Sequence, residues 1–90
     1  MRVEWDPDKA QAHRVRHGVS LPDAEAVLFD PHGITREDGS AEGELRFVTL
    51  GLDTLGRVLV VVHTYRGDTF RIISARKATR NEVRIYERRV

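Results

Sequence analysis

The chain has 90 residues and no cysteine, so it has the length of one small domain and none of the thiolates that disulfides and thiolate zinc sites require. Its net charge of +1 conceals an asymmetry, since residues 1–45 hold five basic and ten acidic side chains and residues 46–90 hold ten basic and four acidic ones. The start of the sequence contains no apolar segment of the signal-peptide type, and the longest aliphatic run, Val58 to Val62, is far shorter than the ~20 residues of a membrane helix.

These totals predict a single cytoplasmic domain, residues 1–90, with no membrane segment. The charge asymmetry indicates a basic surface for an anionic partner. The alternative is that the two halves pack together and neutralise each other.

The first third of the sequence predicts a short strand followed by two helices. The strand is "VEW", after which Asp6 and Pro7 supply a helix N-cap and a proline at the first helical position. We expect this helix to end at Gly18, which can take the left-handed terminating conformation. Ser20 and Asp23 are typical of a capping box at the start of a second helix, which "FDPHG" ends.

From residue 34 onward the pattern is that of strands. The segments "ITRED", "LRFVTLGL", "RVLVVVHTY" and "TFRIISAR" predict four of them, with a loop at "GSAEGE" and turns at "DTLG" and "RGD". Thr79 and Glu82 form a capping box for a last helix, "TRNEVRIYERR". The order β-α-α-β-β-β-β-α, with short connections between the strands, predicts an α+β fold with a mostly antiparallel sheet and helices packed chiefly on one side.

The basic residues of the second half are the first candidate site. Arginine outnumbers lysine nine to one among residues 46–90, and its planar fork donates two parallel hydrogen bonds to a phosphate. Regular strand alternation would place Arg71 and Arg76 on opposite faces of the sheet unless a bulge intervenes. The alternative is a solvated charged face with a few ion pairs.

The histidines and two residues near the start are the other candidates. His13 and His17 have the spacing of a metal half-site, but no third ligand completes it, so we expect no metal. His17 is the natural acid–base candidate, although a cation at a helix C-terminus is also stabilised by the helix dipole. We expect His63 to be a hydrogen-bonded core or edge residue. We expect Trp5 to be a core residue, with base stacking as the alternative, while Lys9 lies on the surface or reaches a phosphate.

Three separated segments resemble the BrnT family of bacterial type II toxins: "EWDPDKAQAHRVRHGVSLPDAEAVLFDP", "RFVTLG" and "RIISARKATRNEVRIYE". The likeness runs from Val3 to about Glu87 in the family's order. It implies a RelE-like fold and a ribonuclease activity that needs no metal or other cofactor. It also implies neutralisation by a BrnA-type antitoxin with a ribbon-helix-helix domain, in a 2:2 heterotetramer that contacts operator DNA only through the antitoxin.

Ten positions match the family pattern, namely Trp5, Asp6, Lys9, His17, Gly18, Arg46, Arg71, Ser74, Arg76 and Glu82. From this match and from the chemistry of RNA cleavage, we predict that Arg46, Arg71 and Arg76 bind the scissile phosphate and stabilise its transition state. His17 or Lys9 would assist the proton transfers.

The start of the last helix adds further cations. We expect Lys77, Arg80 and Arg84 to bind RNA phosphates there, where the helix dipole acts in the same sense as the side chains. Such a toxin would cleave RNA and inhibit translation and growth. The alternative from another class is a non-catalytic module that binds nucleic acid or a partner protein through the same basic surface.

Overall fold

The structure is a computed structural model that describes residues 2–39 and 45–89, and of residues 13–17 and 89 the backbone only. The predicted loop "GSAEGE" therefore lies, apart from its first residue, outside the described residues. None of the helices described is long and apolar enough to cross a bilayer. The elements are β1 Arg2–Glu4, α1 Pro7–His17, α2 Leu21–Ala24, a 3₁₀ helix Glu25–Phe29, β2 Ile34–Glu37, β3 Phe47–Leu52, β4 Val58–Arg66, β5 Thr69–Lys77 and α3 Arg80–Arg89.

The helix boundaries follow from the capping residues that the sequence supplies. Asp6 Oδ1 accepts hydrogen bonds from two backbone N–H groups of the first turn of α1, at 3.0 and 3.3 Å. Gly18, with φ +67°, ends α1 in the left-handed conformation. Ser20 Oγ accepts a bond of 3.1 Å from the backbone of Asp23, which opens α2. The predicted ends of these helices are confirmed.

The five strands form one sheet in the order β1-β5-β4-β3-β2. The pairs β2–β3, β3–β4 and β4–β5 are antiparallel, and β1 joins the free side of β5 in parallel. The predicted α+β fold and element order are confirmed. The parallel pair joins two segments that are far apart in sequence, with 67 positions between Arg2 and its partner Thr69.

One face of the sheet carries most of the core. Leu59, Val61, Ile72 and Ala75 point to this face and are at most 3% exposed. Four buried residues from the α1–α2 connection, α2 and the 3₁₀ helix cover them: Val19, Leu21, Ala24 and Val27. Ala10 of α1 packs against the same cluster. We call this the covered face. Trp5 also packs against the cluster, which favours the predicted core role.

His63 lies on the covered face, at the end where aromatic rings replace aliphatic side chains. It is 1% exposed, its Nε2 lies 2.7 Å from Thr49 Oγ1, and its ring stacks on Phe47. Desolvation by burial lowers the pKa of His63 to about 4, so the ring is neutral at physiological pH. The prediction of a buried, hydrogen-bonded histidine is confirmed.

The last helix packs on the opposite face. Tyr86 of α3 is 3% exposed and lies over Leu50 and Val60. Its hydroxyl donates a hydrogen bond of 2.5 Å to Asp30 Oδ2, which also accepts 2.9 Å from the backbone N–H of Leu52. Burial, and then the bond to Asp30, raise the pKa of Tyr86 to about 12. Asp30 follows the 3₁₀ helix, so this contact ties α3 to the layer on the covered face.

Candidate functional site

A bulge in β5 decides where its arginines point. Ser74 pairs with Val62 of β4, and Ile72 pairs with the next residue of β4, so Ile73 between them has no partner in that ladder. One extra residue on a strand shifts its side-chain alternation by one position. The residues after Ile73 therefore point to the faces opposite to those that regular alternation, counted from the residues before it, would give them.

Because of this bulge, two of the predicted arginines share a face. Arg71 lies opposite Thr64 and Arg76 opposite Val60. Thr64 and Val60 are four residues apart on a strand that has no extra residue, so they point to the same side, and so do their partners. This is the exception that the sequence left open, and plain alternation is wrong here. We call this side of the sheet the arginine face.

Two more arginines reach the arginine face from β2 and β3. Arg36 pairs with Val48, which lies beside Val62 on that face. The backbone N–H of Asp38 donates 2.8 Å to the carbonyl of Arg46, which continues the β2–β3 ladder one residue past β3 and places Arg46 on the same side as Val48. Arg36 was missed from the sequence, although its alternation with Ile34 in "ITRED" was the available signal.

The four arginines surround a shallow apolar floor made by Val48 and Val62. Continuing the register, Arg46 and Arg71 lie in one row on either side of Thr64, about 10 Å apart because they are two strands apart. Arg76 lies four residues further along, a distance of about 13 Å. The face therefore carries cations both across the strands, from Arg46 to Arg71, and along one strand, from Arg71 to Arg76.

Carboxylates hold two of these arginines. Arg71 Nη1 lies 3.2 Å from Glu4 Oε1 of the neighbouring β1. Arg76 donates two bonds to Glu82, from Nη1 to Oε1 at 2.8 Å and from Nη2 to Oε2 at 3.0 Å. The bond from Arg76 lowers the pKa of Glu82 to about 2, and the same bond raises the pKa of Arg76, so both groups are ionised at any physiological pH.

Glu82 also caps the last helix. Its Oε1 accepts 2.8 Å from the backbone N–H of Thr79, and its own N–H donates 3.2 Å to Thr79 Oγ1. The predicted capping box is confirmed. One carboxylate therefore fixes both the first turn of α3 and the Arg76 guanidinium.

The three cations predicted at the start of α3 do not form one group. Lys77 pairs with Leu59, so it points to the covered face and away from its neighbour Arg76. Arg80 and Arg84 are exposed and four residues apart, which places them on one side of α3. The structure separates Lys77 from the other two because adjacent strand residues point to opposite faces.

The two proton-transfer candidates lie on α1. Lys9 and Arg71 both line a small cleft of about 110 Å³ at the edge of β5, beyond the end of β1. His17 is the last residue of α1, and its side chain lies outside the described part of the chain. Among the described side chains no group of three histidine or acidic residues is placed to hold a metal ion.

A second cleft, of about 240 Å³, opens between α3 and the arginine face. Its lining is mostly apolar, with Arg36 and Glu82 as the charged members: Ile34, Arg36, Val48, Leu50, Val60, Glu82 and Ile85. The cleft thus combines apolar side chains with one guanidinium and one carboxylate.

The fold is that of a known class of small toxin. The crystal structure of the Brucella abortus ribonuclease toxin, BrnT, is similar with a TM-score of 0.65 over 89% of this chain and 99% of that chain, at 22% sequence identity. At that identity the likeness concerns the fold alone. A comparison with curated proteins gives no match.

The sequence supplies the family itself. The family described as the ribonuclease toxin, BrnT, of a type II toxin-antitoxin system matches residues 5–82. The chain belongs to this family of ribonuclease toxins, and the resemblance found in the sequence is confirmed. Membership implies an antitoxin as the protein's partner.

Proposed function

We propose that this protein is an endoribonuclease that cleaves RNA on the arginine face without a metal ion, and that it thereby inhibits translation and growth. The observation that carries the proposal is the bulge at Ile73, because it brings Arg71 and Arg76 to the face that Arg46 also occupies. An RNA strand crossing this face would meet four guanidinium groups, Arg36 among them, and an apolar floor.

The reaction is attack of a ribose 2′-oxygen on the adjacent phosphorus, with departure of the 5′-oxygen of the next nucleotide. The pentacoordinate transition state carries more negative charge than the starting phosphodiester. Arg46 and Arg71 lie in one row about 10 Å apart at the backbone, and their side chains are long enough to reach one phosphate bound between them once Arg71 turns from Glu4. Fixed guanidinium groups stabilise the added charge without reorganisation at the moment of reaction.

Two protons move in this reaction, one from the 2′-hydroxyl and one to the leaving 5′-oxygen. Lys9 and His17 are the proposed carriers. Lys9 lines the edge cleft together with Arg71, which supports its access to a phosphate held by that arginine. Lys9 is the proposed donor to the leaving oxygen and His17 the proposed acceptor of the first proton. The backbones of the two residues lie about 12 Å apart along α1, and the carbonyl of Gly18, next to His17, accepts 3.4 Å from Arg57, so the role of His17 requires RNA to bind across the C-terminal end of α1.

The other cations bind the strand beyond the scissile phosphate. Arg76 lies about 13 Å along the sheet from Arg71, so it contacts a neighbouring phosphate. Arg80 and Arg84 extend this surface along the exposed side of α3, and Lys77 contacts RNA only where a strand passes over the sheet edge. Each such contact releases counterions, which makes RNA binding weaken steeply with salt.

A BrnA-type ribbon-helix-helix antitoxin is the proposed partner. It would neutralise the toxin in the cytoplasm, assemble with it as a 2:2 heterotetramer and carry the contacts to operator DNA. The four arginines support this assignment because they suit an acidic antitoxin segment as well as RNA. Co-expression with a BrnA-type protein followed by light scattering should give the mass of two toxins and two antitoxins. A stable 1:1 mass would contradict the stoichiometry.

The activity is tested on purified RNA in the presence of EDTA. We expect the wild-type protein to cleave, and Arg71→Ala to lose roughly a hundredfold in rate, as when one fixed donor to a transition-state oxyanion is removed. Arg88→Ala is the matched control, since it removes one exposed arginine from α3 outside the proposed site. It should cleave within about twofold of wild type.

The outcomes separate an enzyme from a binding module. Equal cleavage by wild type and Arg71→Ala would point to a contaminating nuclease and would contradict the proposal. RNA retention without cleavage by any variant, weakening with salt, would favour the non-catalytic module.

A further inference from the structure

The Arg76 guanidinium is held in a way that leaves one of its two donor edges for a ligand. Its Nη1 donates to Glu82 Oε1 and also, at 3.3 Å, to the carbonyl of Lys77. Its Nη2 donates one bond, to Glu82 Oε2. Of the five N–H groups of a guanidinium, these three bonds use three, and the Nε–H and the second N–H of Nη2 remain.

Those two remaining N–H groups are the ones that point in parallel. The Nε–H and the outer N–H of Nη2 lie on the same side of the planar group, and this edge is the one that binds two oxygens of a phosphate side by side. The Arg76 side chain is 48% exposed, so the side chain is open to a ligand. Glu82 binds the Nη1–Nη2 end of the guanidinium, and a substrate would meet the Nε–Nη2 edge.

Glu82 is itself immobilised. Its side chain is 26% exposed, and its Oε1 accepts from the backbone of Thr79 as well as from Arg76. The backbone of Thr79 belongs to the junction of β5 and α3, so the carboxylate is anchored to a rigid part of the fold. An arginine held at two atoms by an anchored carboxylate has few rotamers left, and pre-organisation of this kind lowers the cost of binding.

We propose that Glu82 is a positioning residue that presents the Nε–Nη2 edge of Arg76 to an RNA phosphate. This rests on the proposed function, because it assigns a role to Arg76 in RNA cleavage. The inference goes beyond the proposed function because it makes a carboxylate necessary for the reaction, although a carboxylate carries the same charge as the substrate. Glu82 acts through Arg76 and does not touch the substrate.

The charge of Glu82 makes this distinguishable from a purely structural role. Glu82→Gln removes a negative charge from a surface that binds a polyanion, so simple electrostatics predicts equal or tighter RNA binding. Loss of positioning predicts slower cleavage in the same variant. We therefore expect kcat to fall about tenfold to a hundredfold, the range that follows when a clamp on a neighbouring phosphate holds the scissile phosphate out of place, while KM stays unchanged or falls.

Thr79→Ala is the matched control for the helix cap. It removes the hydroxyl that accepts from the Glu82 backbone but leaves the bonds between Glu82 and Arg76. Measured below the unfolding temperature of every variant, Thr79→Ala should keep kcat within about twofold. Glu82→Asp keeps the charge but withdraws the carboxylate by one methylene, and it should lose kcat as Glu82→Gln does.

Four results are decisive, with folding checked by circular dichroism. Slow cleavage by both Glu82 variants with a normal Thr79→Ala supports the inference. Normal kcat in Glu82→Gln beside an impaired Arg76→Ala overturns it and leaves the proposed function intact. Normal kcat in Arg76→Ala beside an inactive Arg71→Ala also overturns the inference and leaves the proposed function intact. Absence of cleavage by the wild-type protein overturns the proposed function, and this inference with it.

Discussion

The two faces of the sheet use neighbouring residues of the same strand for different purposes. Val61 points to the covered face and is fully buried beneath the helical layer, whereas Val62 points to the arginine face and is half-buried. On the first face the side chains stabilise the fold by excluding water. On the second face α3 covers Leu50 and Val60, and Val48 and Val62 form a partly exposed floor among charged groups. Alternate positions of one strand therefore serve the buried core and the partly exposed face.

One titratable group on each face shows a matching difference in charge. His63 on the covered face has its pKa lowered to about 4 by desolvation, which keeps it neutral. Glu82 on the arginine face has its pKa lowered to about 2 by its bond to Arg76, which keeps it charged. The aromatic end of the covered face keeps its histidine neutral, and the arginine face retains charge through pairing. A buried neutral histidine should therefore respond to acid earlier than the ion pair does.

The largest effect that we expect from the difference between the two faces is the dependence of the free energy of unfolding on pH that His63 causes. Its folded pKa of about 4 lies below the unfolded value of 6.5, so the unfolded chain takes up the proton first as the pH falls. This contribution to the free energy of unfolding is complete above pH 6.5, decreases between pH 6.5 and 4, and then stays constant. The total loss is about 3 kcal/mol, measured by urea unfolding at several pH values.

His63→Leu is the control for that experiment. It removes the titrating ring, so the decrease between pH 6.5 and 4 should shrink by most of that amount, whatever the variant's stability at neutral pH. The carboxylates and the other three histidines contribute equally to both proteins. An unchanged slope would show that His63 is not a neutral buried group in the folded state.

The next effect compares adjacent valines on opposite faces. Val61→Ala should lower the free energy of unfolding by about 2 kcal/mol, because it opens a cavity under the helical layer. Val62→Ala should lower it by less than about 1 kcal/mol, since the site is half-exposed and water fills the space. RNA affinity should respond in the opposite order, with Val62→Ala the weaker binder. Equal stability losses would show that both faces are covered in solution.

The smallest effect concerns the contact that joins the two faces. Tyr86→Phe removes the hydrogen bond to Asp30 and should cost about 1 kcal/mol. The loss stays small because Asp30 keeps its bonds from the backbones of Leu52 and His32. Tyr65→Phe, which changes a tyrosine that is 41% exposed, is the matched control and should not alter the unfolding midpoint. A Tyr86→Phe protein as stable as wild type would show that α3 is held by apolar contacts alone.

Much of the candidate site was predictable because its residue types carry the chemistry. Arg46, Arg71 and Arg76 were predicted from the phosphate-binding fork and the family pattern, and they do share a face. Arg36 was missed because its alternation with Ile34 shows that the two share a face, but not which strand β2 pairs with or which face of the sheet that is. The roles of Lys9 and His17 stay predictions, since the structure places Lys9 beside Arg71 and describes only the backbone of His17.

The sequence by itself determined what depends on residues within one turn or one strand. The caps at Asp6, Ser20 and Thr79, the left-handed Gly18 and the order of helices and strands all follow from contacts between residues a few positions apart. Such local preferences act before any tertiary structure forms.

Only the tertiary structure decided how those elements combine. The parallel pairing of β1 with β5, the bulge at Ile73 and the ion pair between Glu4 and Arg71 join residues up to 67 positions apart. Local sequence does not encode which register two distant strands adopt, because a shift of one residue exchanges the faces of every side chain beyond it. The packing of the helices against the covered face selects the register, and with it the face to which the arginines point.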